Sequence, residues 1–180
     1  MIKRLLMSSG CLFELIKGAV ILAAILVLVN YFAATLLIVK GISMEPNYHD
    51  GEIIILDKLH YTFGKPRRGD VVGLRYPGSP DKRKFIKRII GLPGEKVEIN
   101  YNAISIDGKV LNEPYIQDLS RSYAIQEVIV PAGEYFTMGD NRFASSDSRE
   151  WGTVPQDKIL GRAWIKIWPL DQLSLIKQNQ

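Results

Sequence analysis

Cysteine and histidine are almost missing from this chain of 180 residues, which has one Cys and two His. The single thiol, Cys11, excludes a disulfide framework. With so few soft ligands there is no Cys/His cluster to hold a metal, and no metal or other cofactor is expected. Internal repeats and low-complexity segments are also lacking. The charge balance is mild, with 23 Lys and Arg against 19 Asp and Glu and a net charge of +4. Much of the positive charge gathers in one short run, Lys82-Arg83-Lys84-Phe85-Ile86-Lys87-Arg88. No nucleic-acid module surrounds that run, so no nucleic-acid partner is expected. At a membrane surface the same run would attract anionic lipid. After residue 40 there is no long amphipathic helical stretch, which leaves strands and turns to build the rest.

What the chain does have is a long apolar run. Gly18 to Val39 is uncharged over 22 residues, and a helix of that length spans about 33 Å, enough to cross a bilayer. The run is about twice a typical signal-peptide core, and no small-x-small site follows it before a mature start, so a retained anchor is expected rather than a cleaved leader. Lys3, Arg4 and Lys17 precede it against Glu14 alone, which keeps the N-terminus cytoplasmic. The chain thus divides into a cytoplasmic N-terminus (1–17), a single transmembrane signal anchor (18–39) and an extracytoplasmic domain (40–180). Plasma membrane and an internal photosynthetic (thylakoid) membrane fit equally. Asn30 and Tyr31 interrupt the run as tolerated polar residues or a helix–helix contact.

Beyond residue 40 the pattern is of short strands between turns. Candidate strands are Glu52–Leu56, Val71–Tyr76, Lys84–Ile90, Lys96–Ile99, Val128–Val130, Glu134–Met138 and Arg162–Ile167. Pro77-Gly78-Ser79-Pro80 breaks the chain between the second and third. Asp107-Gly108 between two short apolar runs is a hairpin signal. The expected fold is mostly β, an antiparallel sheet or partly closed barrel, with one N-terminal transmembrane helix.

Ser43 lies four residues after Val39, so even an extended chain holds it within roughly 14 Å of the apolar run. A serine alone is usually a solvent-facing or turn residue and needs a base to become a nucleophile. His49 and His60 are candidates for a Ser-His-Asp arrangement, but both sit in turn-like surroundings that suit exposed loop histidines. Lys87 offers a different chemistry. In a strand, Phe85, Lys87 and Ile89 share one face while Ile86, Arg88 and Ile90 share the other. Two apolar neighbours would strip water from the Lys87 ammonium and lower its pKa toward the range of a general base. Spacing alone favours the plainer reading, a surface lysine on an edge strand.

Four blocks occur in order: Ser43-Met44-Glu45-Pro46, Arg68-Gly69-Asp70-Val71-Val72, Lys87-Arg88-Ile89-Ile90-Gly91-Leu92-Pro93-Gly94, and Gly139-Asp140-Asn141-Arg142-Phe143-Ala144-Ser145-Ser146-Asp147-Ser148-Arg149. Together they resemble the bacterial type I signal peptidases, membrane-anchored Ser-Lys endopeptidases, over residues 43 to about 154. The resemblance implies that Ser43 is the nucleophile and Lys87 the general base. It implies that the Ser145 hydroxyl bonds and orients the lysine. It further implies ion pairs Arg88–Asp140 and Asp147–Arg149 that brace the site.

One departure matters. Two residues before the nucleophile stands Gly41, where Gram-negative members carry a serine whose hydroxyl helps form the oxyanion hole. The Ser43 backbone N–H remains as oxyanion donor, and a second donor must be another backbone group or absent; one such donor is worth roughly 3 to 4 kcal/mol. The implied reaction removes signal peptides from exported preproteins after small-x-small sites. Met44, Phe85 and Ile86, next to the catalytic pair, are the expected pocket lining. The implied partners are preproteins, the lipid bilayer and the secretion machinery. Two other readings stand beside this one. They are a self-cleaving Ser-Lys protease of the LexA type, against which the anchor and the lack of a helix-turn-helix argue, and a non-catalytic anchored β-module.

Overall fold

Residues 2–76, 83–100, 103–116 and 126–178 are described by the structure, a computed structural model; within the first helix, side chains are described from 12 to 28. That helix, α1, runs Ile2–Phe32. It starts earlier and ends earlier than the 18–39 anchor expected from hydropathy. Ala34–Ile38 is instead a strand, β1, antiparallel to β2 (Ile53–Asp57). The reason is visible in the burial: Leu37 and Val39 enter the core while Leu36 and Ile38 stay more than half exposed. That is the two-residue period of a half-buried strand, hidden in sequence because both faces are apolar. Among the described residues, no helix is long and apolar enough to cross a membrane. The break expected at 77–80, Lys82 of the basic run and the side chains of Asn30 and Tyr31 lie outside what is described.

The remaining elements follow the strand pattern. They are α2 (Leu59–Phe63), β3 (Val71–Arg75), β4 (Lys84–Gly91), β5 (Lys96–Asn100), β6 (Ala103–Ile106), β7 (Lys109–Val110), β8 (Gln126–Ile129), β9 (Glu134–Met138), α3 (Ser148–Trp151), β10 (Val154–Pro155), β11 (Ile159–Trp168) and β12 (Ser174–Leu175). One sheet has the order β1-β2-β11-β3-β4-β9-β10, with β12 added to β11; a second, smaller sheet has the order β7-β6-β5-β8. Every pairing is antiparallel. The large sheet ends in β1 on one side and β10 on the other, so the partly closed barrel is corrected to two open sheets. The hairpin between β6 and β7 turns at Asp107 (φ 50°) and Gly108 (φ 77°), the positive-φ pair that a two-residue turn between twisted strands requires.

Strand β4 is the spine. It pairs with β3 along its first half and with β9 from Arg88 onward. Its two faces serve different cores. Ile86 packs with Leu37, Met44, Leu56 and Val71, whereas Ile89 packs with Val72, Leu74 and Tyr135. Where β9 stops at Met138, the chain turns into the loop 139–147, which α3 continues. Trp151 of α3 closes over Phe85 and Tyr76, with ring centroids 5.5 and 4.5 Å apart.

Candidate active site

The loop carrying Ser43 is held at both ends. Val39 donates its N–H to the Glu52 carbonyl at 2.8 Å, and Gly51 donates to the Val39 carbonyl at 3.0 Å, so the β1–β2 ladder continues past the strands. The Gly41 N–H meets the Asp50 carboxylate at 2.6 Å across the loop. Met44 is fully buried in the core between β2 and β4 and anchors the residue beside Ser43. From the other side the Asn141 N–H donates to the Ser43 carbonyl at 3.1 Å. Gly139 makes that approach possible, because a Cβ there would stand 2.3 Å from the Ser43 carbonyl oxygen and 2.2 Å from Ser145 Oγ.

Lys87 comes from β4, opposite Val72 of β3, and is 1% exposed. Its Nζ lies 2.7 Å from Ser43 Oγ and 5.7 Å from the centre of the Phe85 ring. Burial pushes its pKa down to about 8, against the weaker upward pull of Asp147 and Asp140. The face shared by Phe85, Lys87 and Ile89 is thus the drying environment that strand parity predicts. His49 lies 3.7 Å from Glu45, and its side chain is exposed. The His60 ring meets Tyr61 edge-on. Among the described residues, neither histidine is bonded to Ser43.

Arg88 points to the opposite face. Its Nε and Nη2 donate to the two oxygens of Asp140 at 2.8 and 2.6 Å, and its Nη1 donates to the Gly69 carbonyl at 2.9 Å. The guanidinium lies 3.9 Å from the centre of the Tyr115 ring. Both partners are buried. Asp147, also fully buried, accepts from Arg149 Nε and Nη2 at 2.8 Å each, and from the Gly139 N–H at 3.0 Å. Burial alone would raise the Asp147 carboxyl; the Arg149 charge and these donors outweigh it and hold the pKa below the usual carboxylate range.

Two expectations are corrected here. The Ser145 hydroxyl donates to Asp147 Oδ2 at 2.7 Å, and no hydrogen bond joins it to Lys87 among the described residues. A buried carboxylate is the stronger acceptor and claims the one hydroxyl proton. Met44 does not line the recess beside Ser43. That recess, about 250 Å³, is bordered by Ile38, Lys40, Ser43, Arg83, Lys84, Phe85 and Ile86. Phe85 and Ile86 border this recess, whereas Met44 is spent on the core.

Sequence reasoning missed three supporting residues. Asn47 Nδ2 donates to Asp140 Oδ2 at 2.8 Å and to the Tyr115 carbonyl at 2.9 Å. Glu113 forms a buried pair with Arg142 and accepts the Tyr115 hydroxyl at 2.8 Å. Arg142 Nε in turn donates to the Gly139 carbonyl at 2.9 Å. Asn47 sits beside the Ser43-Met44-Glu45-Pro46 block and could have been suspected from that. Glu113, 29 residues from Arg142, gives no local signal.

A serine hydroxyl on a dry lysine, braced by two buried carboxylate–guanidinium pairs, is chemistry suited to acyl transfer. The family profile described as "Signal peptidase, peptidase S26" matches residues 12–168. The chain belongs to the signal peptidase family. A probable signal peptidase I-2 of Synechocystis sp. is 36% identical over 171 residues, covering 92% of this chain and 78% of the relative. Signal peptidase IB of Staphylococcus aureus is 30% identical over 180 residues, covering 91% and 93%. A crystal structure of a signal peptidase I from Enterococcus faecalis V583 matches at 32% identity and a TM-score of 0.49, over 54% of this chain and 96% of that one. The fold of this signal peptidase, built of antiparallel sheets, is thus read from its own strand pairings.

Proposed function

We propose that the chain is a membrane-anchored serine endopeptidase that removes signal peptides from exported preproteins after small-x-small sites, with Ser43 as nucleophile and Lys87 as general base. The observation that carries the assignment is the 2.7 Å contact between Lys87 Nζ and Ser43 Oγ around a lysine whose pKa burial lowers to about 8. Neutral Lys87 takes the Ser43 proton as Oγ attacks the scissile carbonyl carbon. The oxyanion faces the Ser43 N–H, which no acceptor among the described residues occupies. As the C–N bond breaks, the Lys87 ammonium returns its proton to the leaving amine. Water then attacks the ester, giving a proton to Lys87, which passes it to Ser43 Oγ as the acyl C–O bond breaks, so that both groups are restored.

Helix α1 supports the anchoring. From Gly18 to Leu28 its described side chains carry no charge, and Leu12, Phe13, Ile16, Val20, Leu26 and Val27 are each at least half exposed. A water-facing surface of that kind is unfavourable, and a bilayer would cover it. With the N-terminus cytoplasmic, residues 40–180 lie outside, where translocated preproteins emerge. The experiment is N-terminal sequencing of a model preprotein after incubation with the full chain, Ser43→Ala and Lys87→Ala. The wild type is expected to release one mature N-terminus, and neither variant is. Full processing by either variant would sink the Ser-Lys assignment, and cleavage confined to the chain itself would favour a self-cleaving protease.

A further inference from the structure

Two recesses flank the Ser43 loop, and they treat charge differently. The one on the Glu45 side, about 270 Å³, is bordered by Glu45, Pro46, Ile116, Asp140, Asn141, Arg142 and Phe143. Its charges are matched internally: Asp140 by Arg88, Arg142 by Glu113, and Glu45 by His49 when that ring is protonated. The recess beside Ser43 has an apolar floor of Phe85 and Ile86, with the exposed Ile38 beside it, and a rim of three cations, Lys40, Arg83 and Lys84, with no carboxylate among its lining residues. The three are exposed, and neither Lys40 nor Lys84 has an ion-pair partner among the described residues. Like charges gathered at one mouth repel one another, so a ligand that brings negative charge relieves an existing cost.

We infer that this basic rim makes the enzyme select preproteins with an acidic residue at the second position before the cut. The inference rests on the proposed function and deepens it. A peptide bound in extended form sends alternate side chains to opposite sides. If the small residues one and three before the cut enter the apolar floor, the residue between them projects outward to the rim. A carboxylate there meets Lys40 and Lys84, while an ammonium there is repelled. Exposed charges interact weakly and are screened, so the effect is one of preference rather than absolute requirement.

The test uses the full chain in neutral detergent micelles and three preproteins that differ only at that position: Asp, Asn or Lys. The expected order of kcat/KM is Asp, Asn, Lys, with Asp and Lys separated by about tenfold at low ionic strength and converging in about 1 M salt. Lys40→Glu/Lys84→Glu is expected to reverse the order, and single Lys84→Gln to bring the ratio toward one. Circular dichroism and thermal unfolding of each variant serve as the folding check. Equal rates for all three substrates would overturn the inference and leave the proposed function standing. Failure to cleave any of them would overturn both. A preference that persists unchanged in the charge-reversed enzyme places its origin elsewhere and also overturns it. So does indifference to substrate charge combined with activation by phosphatidylglycerol vesicles that the variant loses, because the rim would then be a lipid headgroup site.

Discussion

Lys87 and Arg88 are neighbours on one strand, both cations and both almost fully buried, yet the protein handles them in opposite ways. Arg88 is given a bidentate carboxylate, a backbone carbonyl and an aromatic face. Its charge is matched in place, and the Asp140 interactions outweigh the opposing desolvation to hold its pKa above the ordinary value. Lys87 is given a serine hydroxyl and apolar walls, and burial lowers its pKa to about 8. One position keeps its proton and braces the loop that approaches Ser43. The other gives its proton up easily enough to serve as a base. Strand parity separates them, since a one-residue step reverses the face.

The contrast can be broken most severely at the Ser43–Lys87 contact. Lys87→Met, close in volume and without an amine, is expected to lower kcat/KM on a preprotein by about 10⁴-fold or more, read in a cleavage assay. Next in size is the Arg88 side. Asp140→Ala leaves a buried guanidinium without its carboxylate and should cost about 3–5 kcal/mol in denaturant unfolding. Replacing both partners, Arg88→Met with Asp140→Leu, should cost markedly less. If the double change is the worse of the two, the buried charge is not the reason for the loss.

Lys87→Met should also stabilise the fold. The lysine's pKa is about 8 when folded against an ordinary 10.5, so the unfolded chain binds more protons between those values and stability rises with pH across that window. Below pH 8 the full cost is present, about 3 kcal/mol. The variant should therefore gain about that much at pH 7, with the gain vanishing toward pH 10.5. Smaller still, wild-type kcat/KM should fall about tenfold per pH unit on acidification below 8, as neutral Lys87 is lost. A limb assigned to a histidine would contradict the base assignment. The smallest effect tunes that limb. Arg149 lowers the Lys87 pKa, so Arg149→Gln should move the limb upward; Asp147 raises it, so Asp147→Asn should move it downward.

The strands of the described chain were legible because alternation and turn residues are local properties. Val71–Arg75, Lys84–Gly91 and Glu134–Met138 form close to where pattern placed them. Residues 34–38 were not legible, because an apolar run satisfies helix and strand alike until a partner strand gives it two faces. The site divides in the same way. The drying of Lys87 follows from its own strand, and the Arg88 direction follows from parity. The Ser145 hydroxyl is expected on Lys87, but it donates to Asp147, a buried carboxylate two residues on that only the folded loop turns back toward it. The burial of Met44 was equally invisible, because an apolar residue beside a nucleophile suits a pocket as well as a core.

Taken alone, the amino-acid order settled the strand-and-turn character, the sparse ligand set that excludes a Cys/His metal cluster, and which β4 residues share a face. All of these depend on residues a few positions apart, whose relation the backbone dictates. Folding in three dimensions decided that Ser43 meets Lys87 across 44 residues, that Glu113 holds Arg142 across 29, and that Lys40 and Lys84 border one recess beside Ser43. Those relations depend on how strands are ordered and loops cross. That ordering is set by the burial of whole faces together, which no short stretch of sequence carries by itself.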